Sequence, residues 1–146
     1  MTEKIYRAGV IPFIIENEEI EMLFMRPSSP EFGGDSLQIA KGRRDIGEDD
    51  LTAALREGHE ELGLIKENIE EIIDLGNHLG RTRFYLTKVK DKKRFTEPHF
   101  ETKETQWLSE KNCFENIREI HRPVVRLAVN KIKEELLNNK DGSVLI

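Results

Sequence analysis

The sequence predicts a mixed α/β domain, and three observations carry that expectation. Short runs rich in Val, Ile, Phe and Met, bounded by turn residues, recur along the chain as strands do. Residues 49–62 and 122–137 instead space their apolar side chains at i, i+3, i+4 and i+7, the period of a helix with one buried face. The 146 residues suit one domain with room for a core, so 1–146 is read as a single unit.

Taken in order, residues 7–15 and 20–26 read as two strands across the polar link ENEE. PSSPEFGGDS, residues 27–36, is a loop by composition, and 37–40 a short strand. Beyond the helix over 49–62, residues 70–75 and 82–89 read as strands, the second alternating through Arg83, Phe84, Tyr85 and Leu86, with GNHLGR as the turn between them. DKKRFTEPHFETKET is charged and reads as a surface loop, which leaves 106–108 as a strand around Trp107. Pro123 suits the first position of a second and last helix, in which Val125, Ala128, Val129, Ile132 and Leu136 make one apolar stripe. There is no internal repeat, linker or low-complexity segment.

Charged residues make up 35% of the chain and the net charge is -5, which excludes broad, non-specific binding to a nucleic-acid backbone. Such a protein binds phosphates only through local arginines and lysines or through a divalent metal. One cysteine, Cys113, excludes an intramolecular disulfide and a cysteine-based zinc site and is expected as a buried or half-buried thiol. The apolar run from Ala8 to Ile15 is short, interrupted by Pro12 and followed by acids, unlike a secretory leader. No stretch approaches the length of a membrane span, so the expected location is the cytoplasm, with no membrane partner.

The segment GRRDIGEDDLTAALREGHEELGL, residues 42–64, raises a sharper question. At roughly 100° per residue, Leu51, Ala54, Leu55, Gly58 and Leu62 fall on one helical face, which should lie on the sheet. Glu57, Glu60 and Glu61 stand at i, i+3 and i+4 and are expected on a flank away from that stripe. Like charges one turn apart repel. Gathered carboxylates instead suit a hard divalent cation such as magnesium or manganese. Arg56 is placed to hold a carboxylate without occupying the metal position, Gly63 is placed as a left-handed C-cap, and Gly42 and Gly47 lie in the loop where backbone turns sharply or approaches a ligand.

The same segment resembles the Nudix box, G-x5-E-x7-R-E-U-x-E-E-x-G-U with U a bulky aliphatic. Gly42, Glu48, Arg56, Glu57, Glu60, Glu61, Gly63 and Leu64 all fall in register, and the one departure is Gly58, where the family prefers an aliphatic residue. The RAGVIPFI strand, LQIAKG and ETKETQWLSE recur at comparable places in that family. The resemblance implies the Nudix fold, an α/β/α sandwich around a mixed sheet. It also implies hydrolysis of a nucleoside diphosphate linked to a moiety X, with water attacking one phosphorus.

It further implies Mg2+, or Mn2+ in its place, held by Glu57, Glu60, Glu61 and the backbone carbonyl of Lys41, with the Lys41 side chain free for phosphate. The general base is a box glutamate or an acid of the loop before Trp107, Glu101 first and Glu104 second, while Glu48 orders the loop and helix start. Arg43, Arg44, Arg81 and Arg83 are candidate phosphate partners. Arg81, Arg83 and Tyr85 would share a strand face as one wall of a nucleotide site, with Tyr85 or Phe32 stacking on a base. His59, His121 and Arg122 are left open between structural and functional roles. The FYLTKV strand, the E-x2-E-x2-WL ending and the helix after HRP look most like the dinucleoside-polyphosphate branch. The expected substrate is therefore Ap4A-like, followed by ADP-ribose or nucleotide-sugar compounds and nucleoside triphosphates. A non-catalytic nucleotide-binding module is the reading from another class, and a homodimer is among the expected assemblies.

Overall fold

In the computed structural model the described residues are 6–29, 31 and 35–144, with side chains described through 138. Phe32, proposed above as a stacking partner, lies outside them. The strands are β1 (Arg7–Glu16), β2 (Glu19–Pro27), β3 (Ala40–Arg43), β4 (Ile69–His78), β5 (Thr82–Val89) and β6 (Thr102–Ser109). The helices are α1 (Asp50–Leu62), α2 (Glu110–Asn116) and α3 (Arg122–Val144).

One mixed sheet runs β4-β5-β1-β2-β6, with β3 attached to β1. β1 and β5 are parallel and the other pairings antiparallel. β1 is long enough to divide one edge between two partners: Arg7 to Val10 pair with β3, and Phe13 to Glu16 with β2. The β1–β2 hairpin turns through Asn17 and Glu18, both at positive φ (52° and 65°), the backbone twist a two-residue hairpin demands.

Both faces of the sheet are buried, and strand alternation sorts the side chains between them. Ala8, Val10, Leu23, Met25, Ala40 and Tyr85 pack with Ala53, Ala54 and Leu62 of α1. Ile11, Phe13, Met22, Phe24, Ile39, Phe84 and Leu86 pack on the opposite face with Cys113 of α2 and Val125, Ala128, Val129 and Ile132 of α3. This is the expected α/β/α layering, and the α3 stripe is the one read from the sequence. Cys113 is a free, buried thiol, and burial pushes its pKa up to about 11.

Three strand boundaries and one short helix depart from the expectation. β3 begins at Ala40, while Leu37 and Gln38 make only isolated bridges to Ile117 and Met25. β4 runs on to His78 because Gly76, at φ 86°, sits at a register shift within the strand, not in a turn; the turn itself is Leu79–Gly80. β6 starts at Thr102 inside the segment read as loop; it is an edge strand with mostly exposed polar residues, so it lacks the alternating signal. α2 was not foreseen, because its seven residues are too few to show a period. Among the described residues no helix is long and apolar enough to cross a membrane.

Candidate active site

The local sequence fixes α1 at both ends. The Asp49 side chain accepts from the Thr52 amide at 2.7 Å as N-cap, and Gly63 closes the C-terminus at φ 76°. A Cβ on Gly63 would lie 1.8 Å from the Thr96 carbonyl oxygen, so the loop from Asp91 to Glu101 can lie directly on the helix end. It supplies the orphan carbonyls there with donors: Thr96 N–H to Gly63 at 2.8 Å, His99 N–H to Glu60 at 2.7 Å, and the first residue of β6, through Thr102 Oγ1–H, to Glu61 at 2.9 Å.

The face of α1 on the sheet is Ala53, Ala54, Glu57, Gly58 and Leu62, with Leu51 and Leu55 half-buried at its rim. Gly58, the departure from the box pattern, has a steric cause, because a Cβ there would stand 2.7 Å from Val10 Cγ1. The acidic flank corrects the expectation that it turns away from the apolar stripe. Glu57 is buried, and Glu60 and Glu61 are half-buried. Glu57 reaches over Gly42, where a Cβ would lie 2.0 Å from Glu57 Oε2. Glu61 Oε1 accepts from the Lys41 amide at 3.2 Å. That amide lies on the edge of β3 not paired with β1, so a carboxylate satisfies a strand donor that would otherwise need water.

Arg56 joins the parts. Its Nε and Nη2 donate to both oxygens of Glu48 at 2.8 and 3.0 Å, and Nη2 also donates to the Arg43 carbonyl at 2.9 Å. Its Nη1 donates to Glu57 Oε1 at 2.9 Å and Glu60 Oε2 at 3.3 Å. Glu48 therefore orders the loop and helix start through a bidentate ion pair, and Arg56 holds its pKa below the usual carboxylate range. Arg56 does more than the sequence suggested, since its guanidinium is here the cation bridging Glu57 and Glu60. In this arrangement no three acidic, His or Cys side chains converge on one point among the described residues.

The electrostatics favour a cation. Burial, and then the charge of Glu60, raise the pKa of Glu57. Burial, and then the charge of Glu57, push Glu61 up to about 9. Neighbouring carboxyls whose pKa values are both raised mark a site with more negative potential than its surroundings neutralise. The donors of Glu57, Glu60, Glu61 and the Lys41 carbonyl are all oxygen, the set a hard divalent cation takes, so these residues fit the implied Mg2+ or Mn2+.

The structure divides the remaining candidates. Glu101 lies in the loop bonded to the end of α1, between His99 and Thr102, and its side chain is exposed, whereas Glu104 pairs with Arg26 at 3.3 Å. Lys41 is half-buried; burial, then Arg7 and Arg118, lower its pKa. Arg43, Arg44 and Arg81 line one open pocket of about 590 Å³ with Tyr6, Arg7, Leu79 and Thr82. Arg83 and Tyr85 do share a strand face, but that face lies under α1. Arg83 is paired with Asp74 of β4, and Tyr85 is buried in the core beneath the helix. They form no open nucleotide wall, and the expectation for both is withdrawn.

Sequence reasoning missed Arg7 and Arg118. Arg7 stands opposite Arg43 in the β1–β3 pairing, which only the register reveals; Arg118 follows the unforeseen α2 and bonds Gln38 at 3.3 Å. His121 is structural: it is wholly buried and its Nδ1 accepts the Ile39 amide at 3.1 Å. His59 Nδ1 lies 3.1 Å from the Leu64 carbonyl, with its ring edge-on to His99.

A family model described as the NUDIX domain matches residues 5–128. No curated protein matches the chain. Among solved structures, a C. elegans Ap4A hydrolase binary complex aligns at TM-score 0.72 and 20% identity, over 90% of this chain and 99% of that one. A mutT/nudix family protein from Listeria innocua aligns at 0.71 and 21% identity, over 94% and 99%. The NUDIX domain of Shewanella oneidensis NrtR complexed with ADP ribose aligns at 0.67 and 12% identity, over 90% of each chain. At these identities the likeness to solved structures is one of fold.

Proposed function

The chain belongs to the NUDIX domain family, and from that premise we propose that it is a Mg2+-dependent pyrophosphohydrolase of nucleotides, acting on dinucleoside polyphosphates of the Ap4A kind. The observation that carries this reading is the placement of Glu57 and Glu61 against Gly42 and the edge of β3.

Glu57, Glu60, Glu61 and the Lys41 carbonyl would hold Mg2+, with Mn2+ as a substitute. When bound, the ion would polarise the phosphoryl group and lower the pKa of water. Arg56 positions Glu57 and Glu60, and Glu48 holds Arg56. Glu101 takes a proton from the attacking water. As the new P–O bond forms, the bond from that phosphorus to the bridging oxygen breaks, and the leaving phosphate departs with the oxygen. Lys41, Arg43, Arg44 and Arg81 bind the phosphate chain, which an acidic protein can approach only through such cations.

The test is phosphate release from a panel of Ap4A, ADP-ribose, nucleotide sugars and nucleoside triphosphates, with magnesium present and then chelated. Turnover of Ap4A that disappears with chelator is expected. Binding without turnover of any member would make the chain a nucleotide-binding module instead. The same protein in sedimentation experiments tests the homodimer.

A further inference from the structure

We propose that Thr102 is a positioning residue of the hydrolytic site, fixing the helical turn that carries Glu60 and Glu61 against the loop that carries Glu101. The proposal rests on the hydrolase reading and gives that site a residue that touches neither metal nor substrate.

The end of α1 leaves its last carbonyls to be bonded from outside the helix. Gly63 N–H donates to His59 at 3.0 Å and Leu64 N–H to Gly58 at 3.2 Å, so the cap folds back on the preceding turn. The carbonyls of Glu60 and Glu61 take their donors from the loop, and one short turn serves both. His99 N–H reaches Glu60, and Thr102 Oγ1–H reaches Glu61. Thr102 N–H donates to the His99 carbonyl at 3.0 Å, which closes that turn on itself. Glu101 is held inside it, its own carbonyl accepting the Ser28 amide at 2.8 Å. Two proposed ligands and the proposed base are therefore tied together through backbone and one side-chain hydroxyl.

The rest of the loop is anchored away from the carboxylates. Asn68 is fully buried; its Nδ2 donates to the Asp91 and Arg94 carbonyls at 2.9 Å each, and its Oδ1 accepts the Asp91 amide at 3.0 Å. Thr96 meets the Gly63 carbonyl twice, through its amide at 2.8 Å and its hydroxyl at 3.2 Å. There the hydroxyl duplicates a bond that the backbone already makes. At Thr102 the amide is committed to His99, so the hydroxyl carries the contact with Glu61. A β-branched residue suits the start of a strand with or without a hydroxyl, so the shape of Thr102 does not account for it. Helix ends fray, and groups that do chemistry must be held to within about 0.5 Å.

The experiment compares Thr102→Val with Thr96→Val, the same isosteric change at two hydroxyls of one loop, and with Thr102→Ser, which keeps the hydroxyl. In each protein kcat and KM are measured with magnesium and the nucleotide that the wild type cleaves best. Mn2+ binding is measured by calorimetry without nucleotide. Thr102→Val is expected to lower kcat about ten-fold with KM little changed. It should weaken Mn2+ binding by a similar factor, about ten-fold. Thr102→Ser should restore both, Thr96→Val should match the wild type, and all four proteins should melt within a few degrees of one another. Equal losses in the two valine variants would reduce the contact to loop packing and overturn the proposal. Wild-type kcat and Mn2+ affinity in Thr102→Val would overturn it as well, with the hydrolase left standing. If the wild type cleaves no nucleotide, the hydrolase reading fails by itself and Mn2+ affinity decides. A loss confined to Thr102→Val then keeps Thr102 as the residue that positions the ligands, and equal affinity in all four proteins, or none in the wild type, removes it.

Discussion

Gly42 and Glu57 occupy a space that admits no side chain on residue 42: a Cβ there would lie 2.0 Å from Glu57 Oε2 and 2.3 Å from its carboxyl carbon. The absence of a Cβ is what lets a buried carboxylate reach the strand. In Gly42→Ala we expect the helix to remain and Glu57 to be displaced. Turnover should drop about 100-fold, comparable to losing one group that acts in the transition state, while the melting temperature moves by only a few degrees. A variant with wild-type turnover would mean that Glu57 is not where the chemistry occurs.

Arg56 offers a contrast with Arg83. The Arg56 guanidinium serves Glu48, Glu57, Glu60 and a backbone carbonyl at once, and these contacts raise its pKa. Removing it strands three carboxylates, so Arg56→Gln should destabilise the fold by about 3 kcal/mol. Arg56→Lys should rescue little, because an ammonium cannot span the same fork. Arg83 and Asp74 form a partly exposed pair between β5 and β4, and Arg83→Gln should cost at most about 1 kcal/mol. Urea unfolding of the three variants gives the comparison. Equal small losses would show that the Arg56 network carries no stability.

Among the acids the expected order of damage to turnover is Glu60→Gln, then Glu101→Gln, then Glu104→Gln. Glu60 is a metal ligand in the proposed site. Glu101, as general base, should lower kcat by about 100-fold with KM little changed. Glu104 is engaged with Arg26 on the outer edge of the sheet and should be nearly silent. Steady-state kinetics with saturating magnesium ranks them. A silent Glu101→Gln would return the base role to a box glutamate.

The sequence made the helix of the site legible because side-chain spacing at 3.6 residues is a local property. Glu57, Glu60 and Glu61 lie on α1 as that period predicts, and Gly63 caps its C-terminus as read from the sequence. It could not show which flank is buried, since that depends on β3 passing beneath Glu57 and Glu61. The same limit hid Arg7: nothing local to RAGV says that Arg43 lies across from it. Tyr85 fails for the complementary reason. Its alternation with Arg83 was read correctly, but periodicity assigns residues to a face without saying what covers that face, and α1 covers this one. Edge strand β6 and short α2 were lost because neither buries enough side chains to impose a pattern.

His121 should make stability depend on pH below neutrality. Burial, followed by the charges of Lys41 and Arg118, pushes its pKa down to about 3, against about 6.5 in an unfolded chain. Above 6.5 neither state takes the second proton, and the neutral ring accepts the Ile39 amide through Nδ1. Between 6.5 and 3 only the unfolded chain binds that proton, so stability falls as pH is lowered, by about 1.4 kcal/mol per unit. Glu61, raised to about 9, acts in the opposite direction over a higher range, because the folded state resists its ionisation. Its contribution is common to the wild type and to His121→Asn, whose side-chain oxygen can still accept from Ile39. Urea unfolding in magnesium-free buffer should show the wild type losing about 3 kcal/mol more than His121→Asn between pH 7 and pH 4. Parallel curves would mean that the imidazole is protonated, and therefore solvated, in the folded protein.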